Sequence, residues 1–292
     1  SFDYPIGHYL SIKNYVVPLK LAHNYVITKK IKKKINFYFN LTEDDKKRGR
    51  ELLINLNLKF KFIVTLHIRE EGFHNDKSEF FRNADIDDYI PSIKYIVKKG
   101  GVVFRMGDSS MKALPKIDGL IDYSQWENKD KFLEMYLANE SIFCIGSSSG
   151  YTMLPYIMGR PIILSNTGTI DDYFMLRNQD YFLPKVLRNK KNNENIKLKN
   201  IFNFPMSSWW YDYKNKMKKN NVELINNDKI DILKTVISLY LLTIKEKDIK
   251  NNKISLKYKK DIESTNLSRL SSIDLKAHGN ISTSFLFKYK LI

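Results

Sequence analysis

The hydrophobic residues of the chain form short apolar runs that alternate with segments of helical spacing. Runs at 60–66, 102–104, 142–145 and 161–164 are rich in β-branched or aromatic residues and predict strands. Apolar residues recur every three or four positions at 86–97, 129–139 and 150–158, which predicts helices. This alternation predicts an α/β fold, a Rossmann-like parallel sheet with helices on both faces.

Local signals place several helix ends. Thr42 precedes three acidic residues and predicts a helix start, while Pro91 fits a helix only in its first turn. Gly100 and Gly101 end that helix before the next strand. The segment 230–244 is too short and too charged to span a membrane, so we expect a packed amphipathic helix.

Lysine and asparagine concentrate in two segments, 185–200 and 245–266, for which we expect a solvated loop and a charged, partly disordered region. We therefore expect a nucleotide-binding type of domain over 56–245, preceded by a separate segment 1–55 and followed by a charged tail, 246–292. The chain begins at Ser1 rather than Met, and we expect it to be a fragment of a longer protein.

The formal charge is +17, most of it from lysine, which favours anionic partners such as nucleic acid, an acidic membrane surface or phosphorylated substrates. An AT-rich genome, which favours Lys, Asn and Ile, is an equal explanation of this charge. The single cysteine, Cys144, lies in an apolar run and forms no internal disulfide, so we expect a reducing compartment.

Chemically active side chains follow three of the predicted strands. His67 and Arg69 end the first, Arg105 and Asp108 follow the second, and a Gly-Ser-Ser-Ser-Gly loop at 146–150 follows the third. Ligands of doubly wound sheets bind at this carboxyl edge.

The loop between Gly146 and Gly150 combines small residues with the start of a helix, which suits a phosphate. It has neither the lysine of a P-loop nor the spacing of a dinucleotide fingerprint. Taken singly, each feature has a structural reading: the loop as a plain turn, His67 as a core histidine, Arg69 as a partner of Asp85 or Asp108. No His or Cys spacing indicates a metal site.

Ser148 occupies the middle of the glycine-flanked loop, as a serine nucleophile would. His278 is the only later histidine, and it lies in a polar segment without a convincing Asp partner. The sequence therefore does not favour a serine hydrolase.

An ordered series of motifs over about residues 40–166 resembles a group of bacterial glycosyltransferases that are often encoded among surface-polysaccharide genes. The motifs are Thr65-Leu66-His67-Ile68-Arg69-Glu70, Phe81-Arg82-Asn83-Ala84-Asp85, Tyr89, Arg105-Met106-Gly107-Asp108, Ser110-Met111, Leu114-Pro115, Gly119, Ile121-Asp122-Tyr123, Gly146-Ser147-Ser148-Ser149-Gly150, Pro155 and Gly159-Arg160-Pro161, with a weaker echo from Gly279 to Phe285.

The H-x-R element and the later serine loop also resemble the O-fucosyltransferase and α-1,6-fucosyltransferase group, which has the two-domain GT-B architecture. This resemblance implies that Arg69 and Ser147–Ser149 hold a donor diphosphate. Glu70 and Glu71 stand where those enzymes have a further Arg or Thr-Asp, which leaves the nucleotide and the sugar open. Residues 1–55 would then be the end of an acceptor-side domain.

The resemblance implies a transferase that uses a nucleotide-sugar donor and a glycan or lipid-linked acceptor, with no cofactor and no bound metal. We expect a cytoplasmic protein, with attachment to the inner face of an anionic membrane as a further expectation. Candidate bases are Glu70, Glu71 and Asp108. Candidate donor-binding residues are His67, Arg69, Arg105, Gly146, Ser147, Ser148, Ser149 and Gly150.

Two other functions remain open at this point. One is a nucleotide-sugar-binding module without activity. The other is a nucleic-acid-binding protein, which the aromatic group Trp209, Trp210, Tyr211 and Tyr213 beside lysines would suit. The basic residues are spread along the chain without a nucleic-acid-binding motif, so no nucleic-acid partner is expected.

Overall fold

A computed structural model describes residues 19–33, 38–70, 77–127, 129–201, 213–245, 253–264 and 276–292. Its centre is a six-stranded sheet in which every neighbouring pair is parallel. The strands are β1 (Phe62–His67), β2 (Gly101–Arg105), β3 (Leu120–Ile121), β4 (Ser141–Gly146), β5 (Ile162–Thr167) and β6 (Tyr181–Pro184). Their spatial order is β3-β2-β1-β4-β5-β6, which confirms the predicted Rossmann-like α/β class.

Helices cover both faces of the sheet. The described helices are α1 (Leu19–Lys33), α2 (Glu43–Ile54), α3 (Ile90–Lys98), α4 (Lys131–Glu140), α5 (Gly150–Ile157), α6 (Leu198–Ile201), α7 (Tyr213–Lys219), α8 (Lys229–Lys245), α9 (Lys253–Glu263) and α10 (Thr283–Lys288). A small antiparallel pair, β7 (Val186–Asn189) and β8 (Val222–Ile225), lies beside the main sheet.

Alternation along β1 and β2 divides the core into two layers. Val64 and Val103 belong to the larger apolar cluster, which includes the buried faces of α3 and α8. Ile63, Val102 and Phe104 belong to the second cluster, with residues of α2 and α4. Successive strand side chains point to opposite faces, so both faces of these strands are buried.

The local signals for helix ends are confirmed. Thr42 is the N-cap of α2, and its side chain accepts a hydrogen bond from the backbone N–H of Asp45. The Asp45 carboxylate in turn accepts from the backbone N–H of Thr42. Pro91 lies in the first turn of α3. A 3₁₀ turn, Ile86–Tyr89, precedes α3 and accounts for the first part of the predicted helix.

One expectation based on lysine content is wrong, and the described part of a second lysine-rich segment is helical. The segment 185–200 contains β7 and α6 and buries Lys185, Leu187 and Leu198, so it is not a solvated loop. Helix α9 lies within 245–266 and buries Tyr258 and Ile262 in the main core. In each case the charged residues cover one side of an element whose apolar residues face inward.

The segment interpreted as a charged tail also contributes to the core. Phe285 and Leu286 of α10 are fully or almost fully buried. Asn280 pairs with the edge strand β6, where the Phe182 N–H donates to the Asn280 carbonyl over 2.7 Å. The domain boundaries at 55/56 and 245/246 stay a prediction. In the described part of the chain, no helix is both long enough and apolar enough to cross a bilayer.

Candidate functional site

The strand order changes direction between β1 and β4. From β1 the sheet continues to β2 and β3 on one side, and from β4 it continues to β5 and β6 on the other. The connections therefore leave the two central strands in opposite directions and open a crevice at their carboxyl ends, where ligands of such sheets bind. His67 ends β1 and Gly146 ends β4, opposite each other in the register.

Two hydrogen bonds join the serine loop to the end of β1. The Ser147 N–H donates to the His67 carbonyl over 3.1 Å. In return, the Ser147 Oγ accepts from the Arg69 N–H over 2.9 Å, and Ser147 is completely buried. Two segments 78 residues apart in sequence are therefore joined at this edge.

A chain of hydrogen bonds fixes the histidine. The Thr152 hydroxyl donates to the Ser147 carbonyl over 2.9 Å, so its single proton is used there. Ser149 Oγ must then donate to Thr152 Oγ1, 3.0 Å away, and accept from His67 Nδ1 at 2.9 Å. This assignment places the proton of the neutral imidazole on Nδ1 and leaves Nε2 as an acceptor.

His67 carries no charge at neutral pH. Burial lowers the pKa of the imidazole to about 4, and the ring stacks on Tyr151 with 5.6 Å between centroids. A neutral ring gives no Coulombic attraction to a phosphate. The contacts of His67 instead favour a positioning role, in which it orients Ser149.

Two arginines bond to the same loop, Arg69 through its main-chain N–H and Arg82 through its guanidinium. The Arg69 side chain, in a residue only 5% exposed, donates from Nε to Asn83 Oδ1 over 3.2 Å. Arg82 donates from Nε to the Ser148 carbonyl over 2.8 Å. Arg82 was not among the predicted site residues, although the motif 81–85 contains it.

Arg105 ends β2, as predicted, and its side chain is paired within the protein. Its side chain is fully buried, and Nη1 donates to Asp122 at 2.9 Å and to the Lys112 carbonyl at 2.6 Å, while Nη2 bonds to Glu70 at 3.2 Å. These partners occupy both terminal nitrogens of the guanidinium. Its contacts therefore favour the support of Glu70, not direct contact with a diphosphate.

Of the two candidate bases that the structure describes, Glu70 has a raised pKa and Asp108 a lowered one. Burial raises the pKa of the Glu70 carboxyl, although the Lys112 N–H and Arg105 act to lower it. For Asp108, burial acts to raise the pKa, but hydrogen bonds from Ser110 and nearby cationic groups outweigh it and lower the pKa overall. Glu71 lies outside the described residues.

Two cavities flank this edge. The smaller, about 320 Å³, is lined by polar or small residues and by apolar ones: Arg82, Ser148, Ser149, Gly150, Thr152 and Asp172, and Met153, Tyr156, Ile162, Leu164, Met175 and Leu176. The N-terminus of α5 opens here, because the Ser149 side chain bonds to His67 and Thr152 and does not cap the helix. The larger cavity, about 890 Å³, is lined by Glu70, Phe80, Asn83, Ala84, Asp85, Ser110, Lys112, Lys185, Met217, Glu223, Leu224 and Asn226.

Sequence reasoning located the crevice but missed Arg82, Asn83 and Lys185. Lys185 directly follows β6, a short strand whose run Tyr-Phe-Leu-Pro is the only signal that precedes it. Within the described ranges, no cluster of His, Cys, Asp or Glu has the arrangement of a metal site.

The aromatic group proposed for nucleic-acid binding is only partly described. Trp209, Trp210 and Tyr211 lie outside the described residues. Tyr213 is 2% exposed and stacks on Phe81 with 4.2 Å between centroids. A buried ring cannot stack on a base, so Tyr213 gives this function no support.

No family model matches the sequence, and no curated protein matches it. Among solved structures, a comparison detects similarity to the glycosyl transferase family 9 protein from Veillonella parvula DSM 2008, with 12% sequence identity and a TM-score of 0.39. The match covers 73% of this chain and 55% of that protein, so this chain spans little more than half of its length. Similarity at this level carries no functional argument, and a function for this chain has to be argued from the residues of the crevice.

Proposed function

We propose that this chain transfers a sugar from a nucleotide-sugar donor and that its sheet is the donor-binding domain of a GT-B-type glycosyltransferase. One observation carries the proposal. At the crevice between β1 and β4, a single serine loop accepts hydrogen bonds from the main-chain N–H of Arg69 and the guanidinium of Arg82, and the neutral His67 ring holds its Ser149. Such an arrangement suits the diphosphate of a nucleotide sugar.

In this proposal, the diphosphate lies against the Ser147–Ser149 loop and the N-terminus of α5. Negative charge grows on the diphosphate as its bond to the sugar breaks. Arginine guanidinium groups and the open helix N-terminus stabilise that charge more in the transition state than in the bound donor. Arg82 and Arg69 supply the cations, and His67 orients Ser149.

Glu70 is the proposed base for the acceptor hydroxyl. Its carboxylate lines the larger cavity, and Arg105 and the Lys112 N–H hold it in place. A pKa raised by burial brings a carboxyl closer to the pH at which a base works efficiently. Glu71 and Asp108 remain alternatives from the sequence.

The finer parts of the proposal come from the resemblance of the motifs. We place the reaction in the synthesis of bacterial surface polysaccharides, on a glycan or lipid-linked acceptor. The proposed location is the cytoplasm, with attachment to an anionic inner membrane surface favoured by the charge of +17. Binding of the full chain to acidic but not neutral liposomes tests this location.

The decisive experiment compares Arg82→Ala with the wild type. Calorimetric titration with UDP, GDP and CDP identifies the nucleotide, and turnover with the matching nucleotide sugars gives the rate. We expect Arg82→Ala to lower the rate roughly 10²–10³-fold, the cost of one transition-state charge partner. Arg50→Ala is the matched control, because Arg50 is exposed on α2.

Unaltered turnover in Arg82→Ala would remove this side chain from the site. Failure of all three nucleoside diphosphates to bind the wild type would contradict the proposed function as a whole. Binding without turnover would identify the inactive sugar-nucleotide module instead. Activity that disappears with EDTA and returns with Mn²⁺ would contradict the proposed metal independence.

A further inference from the structure

Lys185 is a buried cation at the wall of the larger cavity. It follows β6 at the same edge of the sheet as His67 and Gly146, and it is 4% exposed. Its Nζ donates to the Asn83 carbonyl over 2.6 Å. An ammonium group has three N–H donors, so two remain for groups inside the cavity.

The other charged side chains of this cavity have partners within the protein. Glu70 bonds to Arg105, Lys112 pairs with Asp87, and Glu223 lies 3.9 Å from Arg188. Asp85 caps the 3₁₀ turn through the N–H of Asp87. Lys185 differs, because no carboxylate of the described residues lies within 4.0 Å of its Nζ.

A buried charge without a counter-ion is costly, and proteins normally pair it. Burial lowers the pKa of the Lys185 amine to about 8, the direction expected for a buried ammonium group. At neutral pH the amine is nevertheless mostly protonated. An anionic group that enters the cavity would supply the missing counter-charge.

We propose that the larger cavity binds the sugar acceptor and that Lys185 pairs there with an anionic group of that acceptor, a carboxylate or a phosphate. The inference rests on the proposed function, because it assigns this cavity to the acceptor. The remaining lining suits a sugar: Phe80 and Met217 are apolar, and Asn83, Ser110 and Asn226 provide hydrogen-bonding groups. A volume of about 890 Å³ lies within the usual range of small-ligand sites.

The donor diphosphate is the competing source of the anion. We assign the diphosphate to the smaller cavity, whose lining has no residue in common with the larger one. Arg82 lines the smaller cavity and its neighbour Asn83 lines the larger, so the two binding sites adjoin. Glu70 lines the larger cavity, where a base must lie to reach an acceptor hydroxyl.

The test measures binding of three monosaccharide probes to the full chain by NMR titration: glucuronic acid, glucose 1-phosphate and neutral glucose. Wild type, Lys185→Met and Lys191→Met are compared, since Lys191 is exposed and lines neither cavity. We expect at least one anionic probe to bind wild type and Lys191→Met, and to bind Lys185→Met at least tenfold more weakly. Which probe binds tells whether the anion is a carboxylate or a phosphate.

Two further measurements separate this proposal from the proposed function. Affinity for the anionic probe should fall as pH rises through about 8, where Lys185 loses its charge. The other charged residues that line this cavity are Glu70, Asp85, Lys112 and Glu223. Nucleoside diphosphates should bind Lys185→Met as they bind wild type. If those diphosphates lose affinity in Lys185→Met, or neither anionic probe depends on Lys185, the proposal is overturned. If nucleoside diphosphates do not bind wild type, the proposed function is contradicted. The measured dependence of anionic-probe binding on Lys185 is not affected by that outcome.

Discussion

Arg105 and Lys185 lie at the same edge of the sheet, one at the end of β2 and the other just after β6, and both are almost completely buried. Arg105 has two carboxylates and a carbonyl around its guanidinium. Lys185 has one carbonyl. The contrast indicates that a strand-end cation binds ligand only when the fold has not already supplied its counter-ions.

Removal of Arg105 should have the largest effect on stability. Arg105→Met leaves the carboxylates of Glu70 and Asp122 together without their cation, in side chains only 13% and 19% exposed. Breaking a buried ion pair on one side costs about 3–5 kcal/mol in the free energy of unfolding. Urea denaturation monitored by circular dichroism measures this cost.

The comparison fails if Arg105→Met unfolds at the wild-type urea concentration but loses affinity for nucleoside diphosphates. In that event Arg105 would be a ligand-binding residue, as its position after the strand first suggested. A loss of stability with unchanged nucleotide affinity supports the structural role.

Lys185→Met should act in the opposite direction. The lowered pKa of the amine, from its ordinary value of 10.5 to about 8, corresponds to roughly 3 kcal/mol of unfavourable burial. Met keeps most of the apolar volume and removes the charge, so we expect the free energy of unfolding at pH 7 to rise by about 1–3 kcal/mol. Urea denaturation of both proteins measures the gain, and Lys191→Met controls for the loss of a surface charge.

The stability that Lys185→Met gains over wild type should decrease as pH rises. Below pH 8 the amine is charged in both states, and the burial cost is fully present. Between pH 8 and 10.5 the native protein has released the proton while the unfolded chain still holds it, so wild type gains stability as pH rises. The advantage of Lys185→Met should therefore shrink between pH 8 and 9.5. An advantage that stays constant over this range would show that the amine is not the cause.

Lys112→Met should have the smallest effect. Lys112 lines the same cavity, but its side chain is 56% exposed and pairs with the exposed Asp87. Exposed ion pairs contribute little because water and salt screen them. We expect a urea midpoint indistinguishable from wild type. A clear loss of stability in Lys112→Met would mean that solvent exposure does not explain the difference between Lys112 and Lys185.

Much of the fold follows from local rules in the sequence. Strand positions, the Thr42 cap and the first-turn position of Pro91 each depend on residues only a few positions apart. The crevice was predictable for the same reason, since His67 and Gly146 lie at the ends of strands that their own composition identifies. Strand β6 was missed because it is short, and helix α9 was missed because its many lysines hide the helical spacing of its apolar residues.

Local sequence is enough to say which residues reach the carboxyl edge of the sheet, because strand ends are set by local apolar runs and by the direction of parallel strands. Which of those residues have partners depends on the folded chain as a whole. Asp122 reaches Arg105 across 17 positions, and Asn83 reaches Lys185 across 102. The charge left for a ligand is what remains after such long-range pairs have formed, and no local pattern of residues contains that information.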